Sequence, residues 1–174
     1  DPNQFAEPIP GNGPICSAIS EKAAKYGMWI LVNTREADLE TGLFYNTTAI
    51  YNRKGEFHGK YRKCNITYAE YNAGITPGRD YPVFDTDFGR IGTVTCFDQF
   101  FPESIRSLAL QGAEIVFTTT AGDPYHQITS RALENSVYVV VAGVNHAKAS
   151  DQPISRIISP QGEILAGTNE DMGV

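Results

Sequence analysis

The stretch Phe88–Ala121, FGRIGTVTCFDQFFPESIRSLALQGAEIVFTTTA, constrains this chain most, because it reads as strand, turn, helix and strand in succession. Arg90–Thr95 combines Ile91 and Val94 with the β-branched Thr93 and Thr95, which suits a strand buried on both faces. Pro102 fits a first helical turn, where a missing N–H costs no intrahelical bond, and Glu103 follows where a carboxylate is favoured. Ile105, Leu108 and Leu110 supply a helical apolar face, Gly112 a stop, and Glu114–Thr120 a second strand. A β-α-β unit of this kind places Cys96 beyond the carboxyl end of a strand, the edge at which open α/β sheets bind ligands.

A thiol there has two readings. Backbone N–H groups around Phe97 and Asp98 would face the sulfur and offer donors to an oxyanion. A cysteine is more commonly a small buried hydrophobe. Position alone leaves the choice open.

The 174 residues suffice for one domain with a real core, and 41% apolar with 20% charged residues is ordinary globular composition. The formal charge is -6, and no basic tract is interleaved with aromatics, which disfavours nucleic-acid binding. No apolar run reaches membrane-spanning length, so no membrane partner is expected. Cys16, Cys64 and Cys96 are an odd set without a C-x-x-C pair, which argues against a disulfide framework or zinc knuckle and for a cytoplasmic, reducing compartment.

Along the chain, residues 1–14 are turn-rich. Ile15–Tyr26 carries Ile15, Ala18, Ile19, Ala23 and Ala24 at helical spacing, and Gly27 ends it. Met28–Asn33 is a short apolar strand containing Trp29, expected in the core, and Arg35–Gly42 is expected as an exposed loop. Leu43–Tyr51 and Glu56–Arg62 form a hairpin around Asn52–Gly55. Lys63–Arg79 shows no clear period, and Tyr81–Asp87 is a brief strand. Beyond the central unit, Gln127–Asn135 reads as a helix with Ile128, Ala132 and Leu133 inward. Ser136–Asn145 is an interior strand, and Ile154–Ser159 with Glu163–Ala166 forms another hairpin. Hairpins mixed with β-α-β units imply an α/β layered sandwich.

Four segments, in this order, resemble the nitrilase superfamily, the carbon–nitrogen hydrolases. Tyr45-Asn46-Thr47 leading to Tyr61-Arg62-Lys63 is similar to that family's hairpin, whose final lysine is catalytic. Gly92-Thr93-Val94-Thr95-Cys96-Phe97-Asp98 with Phe101-Pro102-Glu103 resembles its nucleophile motif. Arg131-Ala132-Leu133-Glu134-Asn135 resembles its RAxEN helix, and Ser159–Leu165 its closing hairpin. The resemblance runs from about Phe5 to Leu165. It implies an α-β-β-α sandwich and hydrolysis of a non-peptide carbon–nitrogen bond, in an amide or carbamoyl group of a small molecule, through a cysteine thioester. It implies Cys96 as nucleophile, Lys63 as the cation near the oxyanion, and the Phe97 N–H as a second donor. No cofactor and no metal are implied, and a homo-oligomer is.

The family triad also needs a general-base glutamate. Glu7, in FAEPIPG, looks like a residue downstream of that glutamate, so the resemblance implies a partial domain over 1–174 without its native N-terminal strands, its base and its C-terminal end. Glu70 lies where many members carry an accessory glutamate that steadies the lysine, and it is equally readable as a solvated loop residue. Ala121, Gly122, Tyr125 and His126 fall in a loop that usually lines the substrate pocket. Asp98 and Glu103 are expected at the helix start, Arg131 and Glu134 in a polar network behind the site. The rival readings are a catalytically inactive nitrilase-like fragment or binding module, and a cysteine protease pairing Cys96 with His126 or His146.

Overall fold

The structure, a computed structural model, describes residues 3–121, 125–144 and 155–168, and of residues 125 and 126 only the backbone. The chain divides into two compact units, Asp1–Asp80 and Tyr81–Val174.

In the first unit, helix α1 (Pro14–Tyr26) precedes an antiparallel sheet of β1 (Ile30–Ala37), β2 (Phe44–Tyr51) and β3 (Phe57–Arg62), in the order β1-β2-β3. Pro14 opens α1, and Gly27 closes it at φ 60, a left-handed conformation that glycine adopts without steric cost. The helix faces the sheet with Cys16, Ile19 and Ala23, which pack with Ile9, Ile30, Val32, Ala49, Tyr51 and Phe57. The spacing is i, i+3, i+7, a narrower stripe than the sequence implied, and Ala18 and Ala24 face outward. Trp29 is half-buried with its ring edge-on to His58, not a core residue.

The polar run Arg35–Gly42 is only partly a loop, since β1 continues through Ala37 and its register pairs Arg35 with Asn46 and Glu36 with Tyr45. Glu36 is 1% exposed. Strand period-2 alternation buries it among opposite charges, a pattern that composition alone reads as surface. A one-turn helix, α2 (Tyr68–Asn72), interrupts the stretch that showed no period.

The second unit is a six-stranded sheet in the order β4 (Val83–Thr86), β5 (Gly89–Thr95), β6 (Ile115–Thr120), β7 (Tyr138–Gly143), β8 (Ser155–Ile158) and β9 (Ile164–Thr168). Its centre, β5-β6-β7, is parallel, and its flanks are antiparallel. Helices α3 (Pro102–Leu110) and α4 (Tyr125–Asn135) make the two crossovers. They bury Ile105, Leu108, Ile128 and Ala132 against Val94, Val116, Val139, Val141 and Ile158. Leu110 and Leu133, expected inward, are 79% and 50% exposed, because each lies off the stripe its helix turns to the sheet. A Cβ on Gly92 would stand 2.7 Å from a Leu108 methyl, so glycine there lets α3 lie close on β5.

Candidate active site

Lys63 and Glu70 belong to the first unit, Cys96 and Phe97 to the second. In the first, β3 ends at Arg62, and the Lys63 amide continues the ladder by donating to the Asn46 carbonyl at 2.8 Å. Strand alternation then sets Lys63 apart from its basic neighbours. Lys60 and Arg62 turn to Glu36, whereas Lys63 Nζ, 2% exposed, donates to Glu70 Oε2 at 2.6 Å.

Glu70 is held by its own helix. Thr67 caps α2, its hydroxyl accepting from the Glu70 amide at 3.2 Å while the Thr67 N–H donates back to Glu70 Oε2 at 2.8 Å. That reciprocal box is the S/T-x-x-E signature, so Thr67-Tyr68-Ala69-Glu70 marked a helix start in a stretch too short to show a period. Asn46 Nδ2 donates to Glu70 Oε1 at 2.6 Å, and Asn33 Nδ2 holds Asn46 by donating to its Oδ1 at 2.8 Å. Burial alone would raise the Glu70 carboxyl, but donation from Lys63, the Thr67 backbone and Asn46 outweighs it and holds the pKa down at about 2. The side chain is therefore ionised across the physiological range, opposite a buried lysine. The solvated-loop reading of Glu70 does not hold.

Glu36, not singled out in the sequence, anchors the other face. It accepts from Lys60 at 2.5 Å, from Arg62 at 2.6 and 3.0 Å, and from Thr47 at 2.7 Å. Burial opposes its charge, but the Arg62, Lys60 and Thr47 donors keep its pKa below the usual carboxylate value. Lys60 also donates to the Ile9 carbonyl, tying residues 8–10 to the sheet.

Glu7 is 5% exposed and fully engaged elsewhere. Its oxygens accept from the Ile15 and Cys16 amides at 3.0 and 2.5 Å, so it caps α1 in place of Gly13, which has no side chain to do so. Burial raises its pKa less than the Cys16 and Ile15 hydrogen bonds lower it.

In the second unit, Cys96 stands at the end of β5 with φ 46, in the left-handed region that a non-glycine residue rarely adopts. A one-turn 3-10 helix, Cys96–Phe100, follows before α3. The Phe97 amide is therefore in a first helical turn, where N–H groups have no intrahelical acceptor. Several bonds brace the turn. Asp98, fully buried, accepts from the Thr95 amide at 2.9 Å, and Gln99 Nε2 donates to the Cys96 carbonyl at 2.9 Å. The Phe97 ring packs between Phe100 and Phe101, centroids 5.6 and 5.3 Å away. Arg131 on α4 joins Glu134 at 3.0 Å and donates to the Phe100 carbonyl at 3.4 Å. Glu103 lies in the first turn of α3. Ala121 is exposed at the end of β6, whereas Gly122, the side chains of Tyr125 and His126, and His146 lie outside the described residues.

The second unit thus holds a cysteine in the left-handed region at a strand-to-helix turn and the first a buried lysine–glutamate pair, within a mixed α/β fold. The carbon–nitrogen hydrolase family model matches residues 1–174, and the chain belongs to that family, the nitrilase superfamily. It is 35% identical over 180 residues to the nitrilase of Pyrococcus abyssi, covering 98% of this chain and 67% of that protein. It is 30% identical over 188 residues to the omega-amidase NIT2 of Homo sapiens, covering 96% of this chain and 67% of that protein. The crystal structure of Saccharomyces cerevisiae Nit3, a member of branch 10 of the nitrilase superfamily, aligns at TM-score 0.82 and 26% identity, over 94% of this chain and 64% of Nit3. The chain thus spans about two thirds of the length of such relatives, 64% to 67%.

Proposed function

We propose that this chain is part of an amidohydrolase that cleaves a carbon–nitrogen bond in an amide or carbamoyl group of a small molecule, with Cys96 as nucleophile. The observation that carries the reading is the left-handed backbone of Cys96 at the end of β5. Backbone strain of this kind persists only where the surroundings enforce it, and here Asp98 and Gln99 do so.

The Cys96 sulfur attacks the carbonyl carbon, and the thiol proton passes to a carboxylate base. The tetrahedral oxyanion takes hydrogen bonds from Lys63 Nζ and the Phe97 N–H. The carbon–nitrogen bond breaks, the departing nitrogen takes the proton, and an acyl thioester on Cys96 remains. Water then attacks the thioester, releasing the carboxylic acid and restoring the thiol. Glu70, bonded to Lys63 Nζ at 2.6 Å, orients it as the accessory acid. The base is not Glu7, both of whose oxygens cap α1. Ala121, Gly122, Tyr125 and His126 are placed along the substrate, by resemblance alone. Residues 1–174 form part of one carbon–nitrogen hydrolase domain in this reading, which also takes the enzyme as cytoplasmic and homo-oligomeric.

Iodoacetamide tests the reading in the intact protein. Cys96 is alkylated well before Cys16 or Cys64, and amide hydrolysis is lost in step. Equal labelling of the three thiols contradicts it.

A further inference from the structure

Cys96 and Phe97 share one peptide unit, and the bond between them is trans. A planar trans peptide points its carbonyl and its N–H in opposite directions, so holding one aims the other. Gln99 holds this carbonyl. Its Nε2 donates to the Cys96 oxygen at 2.9 Å, and the residue is 0% exposed. A carbonyl can only accept, so the end of the Gln99 amide that faces it is the donor. Asp98, the other brace of the turn, takes the Thr95 N–H and so acts on the plane between Val94 and Thr95. Of the two, Gln99 is the one that touches the plane carrying the Phe97 N–H.

Packing does not account for an amide at this position. Gln99 Oε1 is shielded from water and has no hydrogen-bond partner among the described residues. An unmet buried acceptor is destabilising. Methionine, of similar length, would fill the same space without one. What the amide adds is the donor on the Cys96 carbonyl. The turn from Cys96 to Phe100 is a 3-10 helix, whose i to i+3 bonds have poorer geometry than those of an α-helix. A side-chain clamp stiffens a plane that such bonds hold loosely. The turn packs against β6 and α4, and close packing together with full burial fixes the clamp itself.

We infer that Gln99 is a positioning residue for the reaction: through the Cys96 carbonyl it aims the Phe97 N–H at the oxyanion. A donor of this kind stabilises the transition state only if it is in place before the charge develops. A misplacement of about 1 Å can cost about a hundredfold in rate. Gln99 acts through the backbone of its neighbours, without touching the substrate. The inference rests on the hydrolase reading above, which supplies the oxyanion.

Two reactions of the Cys96 thiol separate aim from mere structure. Amide hydrolysis passes through an oxyanion. Alkylation by iodoacetamide does not, since the sulfur displaces iodide from the methylene carbon and the carbonyl is a bystander. Both are measured in the intact protein and in its Gln99→Met variant. Hydrolysis is read on whichever probe turns over fastest in a panel of straight-chain amides from acetamide to hexanamide, with ethylurea. Gln99→Met is expected to lower kcat about ten- to a hundredfold with little change in KM, and to keep the Cys96 alkylation rate within about twofold. Its melting temperature is expected to stay near the wild-type value, because the lost bond is offset by removal of the unmet acceptor. A loss of hydrolysis matched by an equal loss of alkylation marks a loosened turn and overturns the inference. Wild-type kcat in Gln99→Met overturns it too, and keeps the hydrolase. Should Gln99→Met fail to fold, Gln99→Leu is read in the same way, and failure of both makes the side chain structural and overturns the inference. No turnover of any probe by the wild-type protein discards both readings.

Discussion

Lys63 Nζ lies 2.6 Å from Glu70 Oε2 in a contact that leaves the lysine side chain 2% exposed and the glutamate 11%. Removing one member of such a pair strands a charge away from water, which costs about 3–5 kcal/mol, whereas removing both costs far less. Glu70→Gln is expected to lower unfolding free energy by about that amount, and Glu70→Gln with Lys63→Met to recover most of it. Urea denaturation of the two variants and the wild type decides the point. Additive losses would mean that the pair is not coupled.

The same carboxylate sets an acid limb. Its folded pKa of about 2 is depressed from 4.5, so its stabilisation is fully present above pH 4.5 and is lost as pH falls toward 2. At about 1.4 kcal/mol per pH unit, the shift is worth about 3 kcal/mol at neutral pH. Thermal melts between pH 6 and pH 3 are expected to fall more steeply for the wild type than for Glu70→Gln. Parallel curves would remove Glu70 from the account of acid stability.

Lys60 and Lys63, three residues apart, do different work. Lys60 joins Glu36 at 2.5 Å on the α1 side of the sheet. Lys63→Met is expected to lower kcat at least about a hundredfold with little change in KM, the scale of losing one oxyanion donor. Lys60→Met is expected to lower the melting temperature and to leave kcat near the wild-type value. Equal kinetic losses would point to general charge.

Glu7 caps α1 through the Ile15 and Cys16 amides at 3.0 and 2.5 Å. Glu7→Gln in the intact protein is expected to cost about 1 kcal/mol of stability, the scale of a lost helix cap, with kcat unchanged. A stable Glu7→Gln protein with no turnover would make Glu7 the base after all.

The fold was legible wherever side-chain periodicity follows burial. The run Arg90–Thr95, the proline that opens α3 and the glycine that closes α1 all stood where the structure has them. Arg35 and Glu36 were not legible, because β1 turns each toward an opposite charge on another element, Glu70 and Arg62, and composition reads such residues as solvated. Leu110 and Leu133 misled in the other direction, being apolar yet turned from the sheet. Of the site, Cys96 and Lys63 were named by motif resemblance. Position alone could not have separated Lys63 from Lys60, and only pairing across β2 does so. The capping box of Glu70 was written in Thr67–Glu70 and went unread, since a five-residue helix leaves no periodic trace.

The central claim is that Cys96 carries the acyl group. Mass spectrometry of the intact protein, quenched in acid during turnover of a short amide, is expected to show one acyl adduct on the peptide containing Cys96. That adduct, and at least 90% of the activity, are expected to be absent in Cys96→Ala with the fold retained, about the tenfold loss below which a nucleophile's role is untenable. Turnover within tenfold of wild type in that variant, or an adduct on Cys16 or Cys64 instead, would contradict the account.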